Sequence, residues 1–436
     1  MDGVGTCIKE HIGKPVFQGL YDISPALANA LYSRARELMW WAWKRKHSCV
    51  KILEREMPAL FVDVSVVNKH DAGTGVQRVV NRVFDELYRE DTSILPVAHL
   101  GGLLSANTFL ERKGLLFDRT EKEYCRFLQG DKLFLLDSSW GHAEYFRKLL
   151  EQEHGKIASY AVIHDLFAIQ QPELFHSKYF FDTRYFIDIF KKWHDMVLQH
   201  VDHVLCISRT TAEQVISYYK QAGFQRTRPL HIYYFRLGSD FFEGEAVARQ
   251  EIKEFVTKDT FLMVGTVEPR KGYAVVLEAF EQLLQDGKPI KLLIFGKDGW
   301  KNEFFHERYT ALRSRTDQIL WISDGSNGEL RWVYEHAGAL LAASKDEGFG
   351  LPLVEAAHYG IPILCSDIPI FHEVTEDYAD FFKVMDKDSL AQALQAWRNS
   401  ANHPDSRRIP SHSWQDAASE VRMVLEGKAE PYAVLL

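Results

Sequence analysis

The stretch Ser344-Lys-Asp-Glu-Gly-Phe-Gly-Leu-Pro-Leu-Val-Glu355 joins an apolar run, Ala339 to Ala343, to a predicted helix. The apolar run is typical of a buried strand, and Pro352 suits the first turn of a helix, where its missing N–H costs nothing. Gly348 and Gly350 let the backbone approach a ligand closely. A glycine-rich loop at a helix N-terminus offers unpaired N–H groups and the positive end of the helix dipole. The stretch therefore predicts an anion site between a strand and a helix.

Two carboxylates, Glu347 and Glu355, flank this loop. An ionised glutamate can only accept hydrogen bonds, so it suits hydroxyl groups rather than an anion. A loop that combines an anion site with acceptors for hydroxyls fits a sugar nucleotide, which carries both phosphates and a polyol. The structural alternative is an ordinary strand–loop–helix turn with acidic residues placed by chance.

Residues 347–356, Glu-Gly-Phe-Gly-Leu-Pro-Leu-Val-Glu-Ala, resemble the paired-glutamate motif of retaining glycosyltransferases of the GT-B class, in particular family 4. The family pattern E-G-F-G-L-P-x-x-E-A is matched throughout. The resemblance implies that Glu347 accepts hydrogen bonds from hydroxyls of the donor sugar and that Glu355 accepts them from the ribose. It also implies that the amides of Phe349, Gly350 and Leu351 face the sugar and the phosphates.

Composition sets broad limits on the class of protein. A chain of 436 residues predicts two or three domains with ample surface to bury. The formal net charge of −8 argues against a broad basic face for nucleic acid. The 5 cysteines are scattered without metal-ligand or redox spacing, which suits a reducing cytoplasm. We find no signal peptide and no apolar run near the roughly 20 residues that span a bilayer, so we expect a cytoplasmic protein.

Residues 1–57 differ from the rest and are predicted to form an N-terminal helical extension. The segment from Ala28 to Glu56 lacks proline and glycine, and its apolar residues recur at roughly helical spacing. Three tryptophans and three basic residues lie together between Trp40 and Lys46. Such a helix can lie in a membrane interface, which predicts peripheral contact with the inner membrane. Packing of the same helix on the protein is the alternative.

From Pro58 the chain alternates predicted strands and helices, which indicates parallel sheets with helices on both faces. We predict two Rossmann-like, doubly wound α/β domains that face each other across a cleft, as in the GT-B class. The predicted parts are an acceptor domain over residues 58–240, a nucleotide-sugar domain over residues 241–402, and a C-terminal helix and tail over residues 403–436.

The segment Val264-Gly-Thr-Val-Glu-Pro-Arg-Lys-Gly272 follows a predicted strand and precedes a predicted helix. Arg270 and Lys271 would lie at the carboxyl end of that strand, where they can bind a diphosphate. A solvated turn with ordinary surface cations is the alternative. The segment is similar to G-x-x-x-x-R-K-G/N of family 4, but Thr266 follows Gly265 where many members have arginine. Arg270 is then the candidate for the second cation.

Asp71-Ala-Gly-Thr-Gly-Val-Gln-Arg78 follows the predicted strand Leu60 to Val66 and precedes a helix. Gly73 and Gly75 allow close backbone approach at the helix N-terminus, although a tight turn explains them equally well. In the family, the glycine loop after the first strand closes over the donor phosphates. The letters T-G-V-Q-R-V-V also resemble bacterial O-antigen mannosyltransferases.

His164 stands at the end of a predicted strand, so it should point into the cleft. A single histidine is more often structural than functional. The resemblance implies a role here, because a histidine recurs at this strand end in family 4, near the donor sugar. Asp165 is a candidate for fixing its tautomer. Gly296 and Lys297 also follow a strand and are candidates for lining the nucleotide pocket.

The resemblance implies a retaining, metal-independent glycosyltransferase that transfers a hexose from a nucleotide diphosphate sugar to a saccharide acceptor. The expected setting is cell-surface polysaccharide or lipopolysaccharide synthesis, with an oligosaccharide or lipid-linked saccharide as acceptor and no nucleic acid. GDP-mannose is the favoured donor substrate, and we expect no cofactor. A GT-B-fold sugar-nucleotide epimerase and a non-catalytic sugar-nucleotide-binding protein are the alternatives.

The predicted site consists of two sets of residues and no metal ligands. The predicted catalytic residues are His164, Lys271, Arg270 and Glu347. The predicted donor-binding residues are Gly73, Thr74, Gly75, Gly265, Thr266, Gly296, Lys297, Gly348, Phe349, Gly350, Leu351 and Glu355.

Overall fold

The computed structural model describes residues 51–99, 102–115, 123–175, 183–240, 245–400 and 402–436. The helix predicted between Ala28 and Glu56 lies almost entirely outside these residues. Its described end, residues 51–56, is not helical, because the Leu53 N–H donates to the Tyr124 carbonyl at 2.9 Å in a short bridge. Within the described ranges, no helix combines the length and apolar character needed to span a bilayer.

The N-terminal domain is built on a largely parallel sheet. Its strands are β1 Leu60–Asp63, β2 Leu95–His99, β3 Leu103–Ser105, β4 Lys132–Leu135, β5 Ala158–Ile163, β6 His203–Cys206 and β7 Leu230–Tyr234. Their order in the sheet is β7-β6-β5-β4-β1-β2-β3, and neighbours are parallel except for β3 beside β2. The accompanying helices are α1 Ser65–Lys69, α2 Gly75–Glu90, α3 Asn107–Arg112, α4 Ala143–Gln152, α5 Phe167–Gln170, α6 Thr183–His200 and α7 Arg209–Ala222.

Strand β1 ends at Asp63 and does not continue to Val66 as predicted. The reason is the short helix α1, whose first turn is held by a buried carboxylate. Asp137 Oδ2 accepts hydrogen bonds from the Val66 and Val67 amides at 2.7 and 2.9 Å. The glycine-rich loop therefore begins after α1 rather than directly after the strand.

The C-terminal sheet repeats the α/β pattern. Its strands are β8 Thr260–Val264, β9 Lys291–Phe295, β10 Ile319–Ile322, β11 Ala339–Ala342, β12 Ile363–Ser366 and β13 Asp380–Phe382, in the parallel order β10-β9-β8-β11-β12-β13. Its helices are α8 Gln250–Phe255, α9 Tyr273–Gln285, α10 Glu303–Arg313, α11 Asn327–His336, α12 Leu351–Tyr359, α13 Pro369–Thr375 and α14 Lys387–Asn399.

Both faces of the two sheets are buried, which explains the continuous apolar runs in the central strands. In β1, Phe61 and Val62 point to opposite faces and belong to separate cores, and both are fully buried. In β8, Phe261 and Leu262 are divided in the same way. The predicted pair of Rossmann-like doubly wound domains is thus confirmed.

The end of the chain returns to the first domain. Helix α15, Trp414–Leu425, packs on α2, and strand β14, Ala433–Leu435, pairs antiparallel with β7. The buried Trp414 is fixed by its own amide, which donates to Asp240 Oδ1 at 2.8 Å. The predicted separate tail, residues 403–436, therefore supplies a helix and an edge strand to the N-terminal domain.

The carboxyl ends of the two sheets face each other across one cleft. Ser208, which follows β6, donates to the carbonyl of Gly348, which follows β11, at 2.7 Å. Lys297, which follows β9, donates to the Ala72 carbonyl of the glycine-rich loop at 2.9 Å. Open parallel sheets bind ligands at this edge, so the cleft is the place to look for a site.

Candidate active site

The acid loop between β11 and α12 keeps a helix N-terminus open. Gly350 precedes α12 with φ 97°, a left-handed conformation that favours glycine, and Pro352 lies in the first turn. The amides of Phe349, Gly350 and Leu351 donate to no acceptor in the described part of the chain. They can therefore bind an anion without breaking an existing hydrogen bond.

Glu347 is buried and surrounded by donors. Its Oε2 accepts from Arg270 Nη1 at 2.8 Å, and its Oε1 accepts from Ser344 Oγ at 2.7 Å and from the Lys271 ammonium. Burial opposes ionisation, but the charges of Arg270 and Lys271 outweigh it and lower the pKa of Glu347 to about 2. Glu347 is thus a carboxylate held between two cations at neutral pH.

Arg270 already has its hydrogen bonds within the protein. Besides Glu347, its guanidinium donates to the Asp346 carbonyl at 2.9 Å and to Glu268 Oε1 at 2.5 Å. One face lies 4.5 Å from the ring centroid of Phe167. Its backbone carbonyl accepts from the Lys345 amide at 2.8 Å. This hydrogen bond connects the cation loop, residues 265–272, to the acid loop.

Glu355 is paired across the cleft. Arg78, in α2, donates to its Oε1 at 2.7 Å, and the Tyr334 hydroxyl donates to its Oε2. An ionised carboxylate has about four lone-pair sites, so Glu355 can still accept from hydroxyls of a ligand. The sequence prediction assigned no role to Arg78. A cation in the first turn of a helix interacts unfavourably with the helix dipole. The position of Arg78 in the first turn of α2 could therefore have indicated that it has a carboxylate partner.

The glycine-rich loop is a capped helix start. Thr74 is the N-cap of α2, and its hydroxyl accepts from the Gln77 amide at 3.3 Å, while the Gln77 side chain accepts from the Ala72 amide at 2.8 Å. A Cβ at Gly75 would lie 4.0 Å from Leu351 Cδ1. The starts of α2 and α12 therefore meet in the cleft, which brings together two of the predicted donor-binding loops.

His164 follows β5 and is buried, and neither ring nitrogen makes a hydrogen bond of ordinary geometry within the described residues. Burial lowers the pKa of His164 to about 4, against a weaker opposing effect of the Leu136 backbone, so the ring is neutral at neutral pH. Asp165 is not its partner among the described residues, and Asp165 Oδ1 instead accepts from the Phe167 amide at 3.2 Å. A Cβ at Gly348 would lie 2.3 Å from the His164 carbonyl, so the two loops touch through their backbones.

The loops after β8 and β9 run side by side. The Gly265 amide donates to the Phe295 carbonyl at 3.1 Å, and the Val267 amide donates to the Lys297 carbonyl at 2.9 Å. A Cβ at Gly296 would lie 1.9 Å from the Gly265 carbonyl oxygen. A Cβ at Gly265 would lie 3.7 Å from the Lys271 ammonium. This part of the cleft therefore unites Gly265, Thr266, Gly296 and Lys297 with the cation Lys271.

No cluster of three or more histidine, cysteine, aspartate or glutamate side chains is arranged to hold a metal ion in the ranges that the structure describes. That the reaction needs no metal stays a prediction.

We expect the variant Glu347→Gln to reveal the charge cluster through the pH dependence of stability. The pKa of Glu347 is lowered from 4.5 to about 2 in the folded protein. A lowered pKa stabilises the fold above about pH 4.5, and this contribution, on the order of 3 kcal/mol, is lost as the pH falls toward 2. The difference in the free energy of unfolding between wild type and variant should therefore be largest above pH 5 and shrink toward pH 3.

Urea unfolding at pH 7, 5, 4 and 3 measures this difference. Glu307→Gln, on an exposed position of α10, is the control and should leave stability within about 0.5 kcal/mol of wild type at each pH. A difference for Glu347→Gln that stays constant from pH 7 to pH 3 would contradict the charge cluster.

The chain is similar to known proteins in sequence. The model of the family described as glycosyl transferases group 1 matches residues 245–420. The chain is 30% identical over 385 residues to the serotype-specific mannosyltransferase WbdA of Escherichia coli, covering 84% of this chain and 44% of that protein. It is 25% identical over 244 residues to the O-antigen chain mannosyltransferase RfbU of Salmonella typhimurium, covering 56% of this chain and 61% of that protein.

A solved structure shares the fold. The Anabaena protein HepE, in a complex with UDP and glucose, superposes with a TM-score of 0.54 at 11% identity, covering 84% of this chain and 95% of that one. At this identity the likeness shows the fold alone. The chain spans less than half the length of WbdA.

Proposed function

We propose that this chain is a retaining glycosyltransferase that moves a hexose from a nucleotide diphosphate sugar to a saccharide acceptor, and the match of residues 245–420 to the model of the group 1 glycosyl transferases supports this. The observation that carries the proposal is the contact of Lys271 with Glu347 at the cleft, beside the first amides of α12, which have no acceptor among the described residues. Cations, open amides and an ionised acceptor at one sheet edge suit a diphosphate joined to a sugar.

The amides of Phe349, Gly350 and Leu351 would bind phosphate oxygens at the positive end of α12. Lys271 would stabilise the charge that grows on the departing diphosphate, where a fixed cation is more effective than water. Glu347, held as a carboxylate by its neighbours, would accept from hydroxyls of the sugar. Glu355 would accept from the ribose hydroxyls.

The N-terminal domain would complete the site from the opposite side. Neutral His164 can donate or accept one hydrogen bond at the sugar without bringing a charge. Gly73, Thr74 and Gly75 lie at the mouth of the cleft, where closure of the two domains would exclude water that otherwise hydrolyses the donor.

GDP-mannose is the proposed donor, with no cofactor, and the names of the relatives WbdA and RfbU support mannose as the sugar. The proposed acceptor is an oligosaccharide or lipid-linked saccharide at the cytoplasmic face of the membrane, in the synthesis of a cell-surface polysaccharide. The RfbU name supports this setting, because it describes a transferase of O-antigen chains.

A thermal-shift series followed by product analysis tests the function. GDP-mannose should raise Tm more than UDP-glucose, ADP-glucose or dTDP-glucose, because a bound ligand stabilises the folded state by mass action. With a mannose-containing oligosaccharide added, GDP should be released and the acceptor should gain one hexose. If none of these donors shifts Tm, the proposal fails.

Incubation with the donor alone separates the alternatives. A transferase should leave the donor largely unchanged without acceptor, whereas an epimerase would convert it to a second nucleotide sugar. A binding protein would shift Tm but transfer nothing when acceptor is supplied. Either of these last two results would replace the transferase proposal.

A further inference from the structure

The charges around Arg270 and Lys271 cancel within the protein. Arg270 contacts both Glu268 and Glu347, and Lys271 also contacts Glu347. Two cations and two carboxylates give this cluster a formal charge of zero. A diphosphate that leaves a sugar carries at least two negative charges, so the cluster alone leaves much of that charge uncompensated.

Arg270 is the less available of the two cations. Three of its N–H groups donate to Glu268, Glu347 and the Asp346 carbonyl, and its flat face lies over Phe167. Turning it toward a phosphate would leave buried carboxylates without their partner, which is strongly unfavourable. Among the described residues the Lys271 ammonium makes one hydrogen bond, to Glu347, and it lies against Gly265, so it keeps donors for a ligand.

Lys297 offers a cation that is not neutralised. Its side chain is exposed, and in the described part of the chain its ammonium makes one hydrogen bond, to the neutral Ala72 carbonyl at 2.9 Å, and no ion pair. Its backbone is fixed beside Thr266, since its carbonyl accepts from the Val267 amide. Thr266 brings no charge to this position, and Lys297 does.

The surroundings of Lys297 are those of the anion site. Ala72 begins the turn that leads to Gly75, and Gly75 lies beside Leu351 at the start of α12. Gly296, which precedes Lys297, packs on Gly265, which in turn lies beside the Lys271 ammonium. The backbone at Lys297 and the side chain of Lys271 therefore both lie against the loop at Gly265 and Thr266.

We propose that Lys297 and Lys271 together bind the diphosphate of the donor, while Arg270 stays inside the protein and holds Glu268 and Glu347. This inference rests on the proposed function and changes which side chains carry it out. The structural alternative is that Lys297 only joins the two domains through the Ala72 carbonyl.

Charge and hydrogen bonding can be separated at this position. Lys297→Gln keeps an N–H donor for the Ala72 carbonyl and removes the charge, Lys297→Met removes both, and Lys297→Arg keeps both. Lys301→Met is the matched control, because Lys301 lies in the same loop and donates to the Glu173 carbonyl of the other domain at 2.6 Å. Lys301 also connects the two domains, but it does so outside the anion site. Its replacement therefore tests the loss of a bridging lysine alone.

Calorimetric titration of the full chain with GDP and with guanosine gives the readout. Lys297→Gln and Lys297→Met should each weaken GDP binding about ten-fold or more and leave guanosine binding within about two-fold, since a charge-assisted hydrogen bond is lost only with the diphosphate. Lys297→Arg and Lys301→Met should bind GDP within about three-fold of wild type. UDP with uridine, or ADP with adenosine, replaces this pair if wild type prefers that nucleotide.

Two results would overturn the inference while the proposed function stands. Lys297→Gln could bind the nucleoside diphosphate as wild type does, with only Lys297→Met weakened, which would make Lys297 a link between domains. Alternatively, both variants could weaken diphosphate and nucleoside equally, which would show a loss of cleft geometry. If wild type binds no nucleoside diphosphate, both this inference and the proposed function fall.

Discussion

Replacing Lys271 with alanine is expected to lower kcat by about 10²- to 10³-fold, because a fixed cation at the departing diphosphate is removed from a partly buried site. The fold should suffer far less. Glu347 keeps the hydrogen bonds from Arg270 and Ser344, so its charge stays compensated. We expect the free energy of unfolding to fall by about 1.5–3 kcal/mol, the contribution of one hydrogen bond to a charged group.

Single-turnover transfer and urea unfolding separate these two effects. Lys288→Ala is the control, because Lys288 is an exposed lysine that donates to Gln395 Oε1 at 3.1 Å, and the substitution removes the same charge from the surface. Its kcat should stay within about two-fold of wild type. A Lys271→Ala enzyme with wild-type kcat would show that the diphosphate is not bound at this loop.

The elements that carry the site were predictable because their signals are local. The apolar run before the acid loop was predicted as the strand Ala339 to Ala343 and is observed as Ala339–Ala342. The strand before Gly265 was predicted as Phe261 to Val264 and is observed as Thr260–Val264. Glycine and proline mark where each strand stops and each helix begins, and this information is contained in a few neighbouring residues.

The partners of the site residues were not predictable, because they come from distant elements. Arg270 was predicted to bind a phosphate, and the structure adds partners that the sequence did not indicate: Glu268 and Glu347 accept from its guanidinium, and Phe167 lies over its face. Which of two adjacent cations turns inward depends on the packing of α5 against the loop after β8. No pattern of spacing in a single segment contains that information.

The surface against which the chain packs after residue 403 was not predicted, for a similar reason. The break at His403-Pro404 and the helical pattern after it were visible, but not the side of the cleft on which the helix packs. Helix α15 lies on α2, whose first turn carries Arg78, and β14 extends the sheet beyond β7. The tail thus supports the helix that reaches across to Glu355, a link set by tertiary packing alone.

Replacing Gly272 with alanine is expected to destabilise the fold by about 4 kcal/mol or more, because two separate costs combine. Gly272 has φ 72°, where an added Cβ costs about 1–2 kcal/mol. That Cβ would also lie 2.0 Å from the carbonyl oxygen of Ala343, which is backbone and cannot rotate away. Relief requires the start of α9 to move from the end of β11, which is a large packing strain.

Gly287→Ala carries only the first cost, so the difference between the two variants measures the second. Gly287 has φ 68°, nearly the same conformation, but nothing lies within 4 Å of its added Cβ. This variant should lose only about 1–2 kcal/mol in urea unfolding. Equal losses for the two variants would show that the loops of Lys271 and Ala343 are not packed backbone to backbone. A larger loss at Gly272, with kcat reduced in whatever protein still folds, would show that one glycine contact sets the spacing between Lys271 and Glu347.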